Sequence, residues 1–187
     1  LAVAHEAPGA EAEVRAISRV WADGWVQTVT ADEATESAVR AIEGGYDVVH
    51  YAAHAVANDK DPLSSFISLG ADAGADGLYH LSEIAGHPRG QDLVVLSGCD
   101  TESGELYAGE GLMGLMRAFL VSGAHAVVAT QWPVGPATTS LMAGFYSRLA
   151  VGDDPATALR AAQLTLRSNP ETAHPFYWAG FVLHRRD

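Results

Sequence analysis

Residues 92–100, DLVVLSGCD, carry an apolar run into a small-residue step and the one cysteine of the chain. The run is rich in valine and apolar on both faces, the pattern of a strand buried between two helix layers. Two further segments, YDVVHYA (46–52) and AHAVVAT (124–130), repeat it. Helical patterns with recognisable ends lie between and after them. TADEATESAVRAIEGG (30–45) has Thr30 and Glu33 at capping-box spacing and Gly44 at the stop; GEGLMGLMRAFLVSG (109–123) ends at Gly123; DDPATALRAAQLTLRSNP (153–170) has Asp154 before Pro155 at the first turn. LAVAH (1–5), VQTVT (26–30) and WAGFVLH (178–184) are weaker strands, and FISLGADAGADGLYHLSEI (66–84) is a hairpin-like excursion. Strand and helix in alternation predict an α/β fold with a mostly parallel sheet.

A length of 187 residues fits a single domain over 1–187, and an opening on LAVAH without methionine reads as a piece of a longer protein. The net charge of −12 and the scattering of the 11 basic residues argue against a nucleic-acid or anionic-membrane surface. The longest apolar stretch, 118–130, is interrupted by Ser122, Gly123 and His125 and is too short for a bilayer. A lone cysteine forms no intramolecular disulfide, so a cytoplasmic location is the expectation.

In an open parallel sheet the loops at the carboxyl ends of the strands converge on one crevice. His54 and Cys99 both stand one or more residues past a buried run, so adjacent strands would deliver them to the same edge. A thiol beside an imidazole is a nucleophile beside its general base. The alternative on these residues alone is a small buried thiol and a hydrogen-bonded loop histidine.

VVHYAAH (48–54), PLSSFISL (62–69), DLVVLSGCDT (92–101), GEGLMGLMRAFLVSGAHAVVATQWPV (109–134) and HPFYWAGFVL (174–183), in this order, resemble the CHAT family. These are caspase-like cysteine peptidase domains of clan CD, often fused to tetratricopeptide-type repeats, and the likeness runs from PGAEAE (8–13) to the final strand. The resemblance implies a caspase-haemoglobinase α/β fold, helices on both faces of the sheet, and hydrolysis of peptide bonds in a protein substrate with His54 as base and Cys99 as nucleophile. It implies no cofactor and no metal. Family members follow the histidine with glycine, whose N–H joins that of the cysteine in an oxyanion hole. Here Ala55 stands in that place, and its N–H serves equally provided φ is negative. The residue two before the cysteine lines the primary specificity pocket; Ser97 carries no charge, so a neutral or apolar residue before the scissile bond is expected, with Gln131 and Trp132 as further walls. A catalytically silent interaction or scaffold domain, with Ala55 as its lesion, is the alternative.

Two other signals compete. GEGLMG (109–114) matches a dinucleotide fingerprint, but the preceding strand ends a dozen residues too early and Glu110 sits in the anion position; close helix packing explains its glycines better. His50 and His54 at i, i+4 would pair on a helix, but on a strand they stand about 13 Å apart, beyond a shared ion. His50 is therefore read as a core or supporting histidine, and Tyr177 and Trp178 as core aromatics.

Overall fold

The three valine runs become neighbouring strands. In the computed structural model, which describes residues 1–21, 25–58, 60–88, 90–98, 110–132, 135 and 137–186, the strands of the main sheet are β1 (Ala2–His5), β2 (Thr28–Thr30), β3 (Val48–Ala53), β7 (Leu93–Leu96), β8 (Ala126–Thr130) and β9 (Phe181–Arg185). Their order is β2-β1-β3-β7-β8-β9, and only β9 runs antiparallel to its neighbour. A second, antiparallel sheet of β4 (Ala55–Val56), β5 (Phe66–Ser68) and β6 (Leu78–His80) is inserted between β3 and β7. This is the caspase-haemoglobinase-like arrangement, a mostly parallel sheet with helices on both faces.

Why the runs do not alternate is now visible. Val49, Tyr51, Val94, Leu96 and Val127 face one layer, which holds α2 (Glu36–Ile42), α4 (Glu110–Ser122) and the small sheet. Their chain neighbours Val95 and Val128 face the other, built from α1 (Ala10–Ser18), α5 (Ala137–Ala150) and α6 (Pro155–Ser168). Each large core side chain so buried, such as Phe119 or Phe145, contributes roughly 1.5–3 kcal/mol. A Cβ on Gly114 would meet Leu81 Cδ1 at 2.9 Å, so this glycine lets α4 pack closely on α3 (Leu81–Gly86).

Two local expectations are corrected. Thr30 ends β2 and makes no cap; Ala31–Glu33 forms a 3-10 turn, and Thr35 caps α2 through Ala38 N–H at 3.3 Å. The strand anticipated at 178–184 starts later, at Phe181, because Pro175–Tyr177 forms a 3-10 turn first. Tyr177 and Trp178 pack only half-buried at the edge of the second core layer.

Asp154 caps α6 as the sequence implies, accepting from the N–H of Ala156 (3.0 Å) and from Arg185 (2.7 Å) on β9. The Thr157 hydroxyl above all, with those donors, holds its carboxyl at a pKa of about 2, down from 3.8. A lowered pKa means a contribution to stability that is fully present above pH 4 and lost as pH falls through 2. A carboxyl-detected NMR titration should therefore give a midpoint near 2 for Asp154; a midpoint near 3.8 would mean that the cap does not hold in solution.

Candidate active site

β3 and β7 are adjacent and parallel, with Tyr51 level with Leu96 at their carboxyl ends. The pairing continues beyond the strands. Ser97 N–H donates to Tyr51 O at 2.8 Å, and Ala55 N–H donates to Gly98 O at 2.8 Å. Gly98 lies so close to β3 that an added Cβ would stand 2.1 Å from Ala53 O, which only glycine permits. Ala53 and Ala55 flank His54, so both chain neighbours of the half-buried histidine touch Gly98. The small sheet holds the loop from the other side: His54 O accepts Ser68 N–H at 2.8 Å, and Ala55 pairs with Ile67.

Cys99 lies outside the described residues, as do Asp100, Glu102 and Glu105 of the following segment. Ala55 is extended in β4, and among the described residues only Glu6 and Ala31 are non-glycines with positive φ. The alanine in place of the family's glycine is therefore unstrained. Its N–H, however, is engaged by the Gly98 carbonyl. An oxyanion hole using that N–H requires the carbonyl to turn away, a rotation that glycine permits freely.

Ser97 is buried beside these groups, and its Oγ has no hydrogen-bond partner among the described residues. Gln131 and Trp132 follow β8, one strand further along, and both are half-buried. Trp132 donates its indole N–H to Phe176 O at 2.9 Å. Because β9 returns antiparallel, the 174–180 segment sits at this same edge, and Phe176 presents an exposed ring there. Sequence reasoning did not single out Phe176; its signal was the aromatic cluster FYW on the approach to an antiparallel edge strand.

His50 takes no part in this edge. It is 1% exposed, with Nδ1 3.1 Å from Tyr146 OH on α5 and Nε2 3.1 Å from Glu13 Oε1 on α1. The second contact has ion-pair distance without hydrogen-bond alignment. Burial, and then the nearby Glu13 carboxylate, push the Tyr146 hydroxyl well above its usual pKa. An apolar cavity of about 200 Å³ beside this cluster, lined by Trp21, Val48 and Tyr146, opens at the amino ends of β1 and β3, opposite His54. Among the described residues no group of three or more His, Cys, Asp or Glu is arranged to hold a metal, and no helix is long and apolar enough to cross a membrane.

Comparison with known proteins agrees with this architecture. Tetratricopeptide repeat protein 28 from Mus musculus is 39% identical over 92 residues, and the protein of the same name from Homo sapiens is equally similar. The match covers 49% of this chain and 4% of each relative, so the chain spans a small part of their length. The CHAT domain profile matches residues 1–186. With that match extending over the sheet, the inserted hairpin and the final strand alike, the chain belongs to the CHAT family, within the caspase-like clan.

Proposed function

We propose that this domain is a cysteine endopeptidase in which His54 takes the proton of the Cys99 thiol, the thiolate attacks a peptide carbonyl, and the imidazolium protonates the departing amine. Water then hydrolyses the thioester, with His54 as base. One observation carries the reading. Register partners on β3 and β7, such as Val48 and Leu93, are 45 residues apart, and His54 and Cys99 have the same separation. Beyond the strands the pairing shifts by one residue, with Ala55 N–H on Gly98 O, so His54 stands beside Gly98, the residue that precedes Cys99 in the chain. Ala55 and Cys99 N–H groups are the oxyanion donors in this proposal, while Ser97, Gln131 and Trp132 line a pocket for a neutral or apolar residue before the scissile bond. The names of the relatives add a further element: the domain works fused to, or beside, a tetratricopeptide-type repeat unit.

The test maps new protein termini in a lysate proteome incubated with the domain, with Cys99→Ala and His54→Ala as controls. Cleavage by the natural sequence, reduced at least about 10³-fold in both variants, is the expected outcome. Cleavage that survives either substitution would refute the dyad.

A second reading, a catalytically silent interaction domain, is favoured by the engagement of Ala55 N–H with Gly98 O. It predicts no cleavage by the domain even when joined to its repeat unit.

A further inference from the structure

The small sheet turns its two faces to different surroundings. Ala55, Ile67 and Tyr79 form one register row across β4, β5 and β6, and all three are buried in the core. Alternation along the strands puts the next row, Val56, Phe66 and His80, on the opposite face. Val56 is 39% exposed, Phe66 is half-buried, and neither belongs to a core cluster among the described residues. The Phe66 ring meets His80 edge-on at 5.6 Å. Single exposed apolar residues are ordinary on a protein surface; the group that shares this face gives these two a use.

That group is His54. The ladder of β4 and β5 continues to it through the bond from Ser68 N–H to His54 O, at 2.8 Å. His54 therefore stands two residues before Val56 in extended chain, on the same face and roughly 7 Å away.

The edges of β4 give the face a direction. Ala55 N–H bonds to Gly98 O on the β7 side, whereas His54 O bonds to β5 on the other. Phe66 thus lies across His54 from the β7 end, away from Ser97, Gln131 and Trp132. In the peptidase reading the residues before the scissile bond occupy the side of β7 and β8, and His54 protonates the departing amine. The chain that begins with that amine runs across His54 towards β5. An extended peptide covers about 7 Å in two residues, which is the span from His54 to Val56. We propose that Val56 and Phe66 form a subsite for a large apolar side chain of the polypeptide substrate, within the first two residues after the scissile bond. The substrate assignment rests on the peptidase reading; the apolar subsite does not.

Two measurements separate these. With the Cys99→Ala chain, N-acetyl-phenylalanine amide should shift the NMR amide signals of Val56, Phe66 and Ser68, and N-acetyl-glycine amide should bind at least about tenfold more weakly. The Val56→Ser/Phe66→Ser double variant should lose that difference. Equal binding of the two probes, or shifts confined to other regions, would overturn the subsite whatever the peptidase does. In terminal mapping with the natural sequence, large apolar residues should be enriched at the first or second position after the cut, and the enrichment lost in the double variant. Cleavage without such enrichment would overturn the substrate assignment while leaving the peptidase standing.

Discussion

Replacing Gly98 by alanine is expected to destabilise the domain by about 3 kcal/mol and to eliminate the peptidase activity proposed above. The added Cβ would stand 2.1 Å from Ala53 O and 2.7 Å from Ala53 C. Both are backbone atoms of the neighbouring strand, so no side-chain rotation relieves the clash. Relief requires the carboxyl ends of β3 and β7 to part, which breaks the bond from Ala55 N–H to Gly98 O and moves His54 away from the β7 end. For a domain of this size about 3 kcal/mol corresponds to a Tm lower by roughly 6–12 °C, measurable by calorimetry. Gly44→Ala is the control: its added Cβ meets nothing within 4 Å, and a change within about 0.5 kcal/mol is expected. If Gly98→Ala behaved like the control, the strand ends would not approach this closely in solution and the placing of His54 beside the end of β7 would lose its anchor.

The contrast between Gly98 and its surroundings shows what a single sequence can disclose. β3, β7 and β8 were legible because strands covered on both faces lose polar alternation, leaving YDVVHYA, DLVVLS and AHAVVAT as short apolar blocks. α6 was legible because Asp154 and Pro155 are a start signal of local chemistry. The capping signal at Thr30 misled because Thr30 and Thr35 are both plausible caps, and the choice depends on where β2 ends and the chain turns at Ala31. α5 escaped notice because its residues are mixed, and its burial of Leu141, Met142 and Phe145 is a tertiary fact.

At the site, the placing of His54 past a strand was readable, since loops at carboxyl ends follow from parallel topology. The engagement of Ala55 N–H, the approach of Gly98 to Ala53, and the left-handed turns at Glu6 and Ala31 were not. Each depends on backbone positions brought together across strands 26 to 48 residues apart in sequence. No spacing rule encodes them.

Glu43 was equally invisible, and its removal is the second large effect. Glutamate is seldom fully buried, and AIEGG reads simply as a helix ending. Yet Glu43 is 3% exposed and its carboxyl group accepts the hydroxyl of Tyr79 at 2.8 Å and that of Tyr51. Tyr51 belongs to β3 and Tyr79 to β6, so this one side chain joins the main sheet to the small sheet that holds the His54 loop. Glu43→Ala leaves two buried phenols without this acceptor and opens a cavity among them. A loss of about 3–5 kcal/mol in urea denaturation is expected. Glu43→Gln keeps one carbonyl acceptor in nearly the same volume and should cost about 1–2 kcal/mol. The ratio of the two is the informative quantity. Equal losses would mean that charge, not hydrogen bonding to the tyrosines, sets the role of Glu43. The expected inequality, together with faster amide exchange at Ala55 and Ser68 in the alanine variant, would show that the buried carboxyl group secures the loop that carries His54.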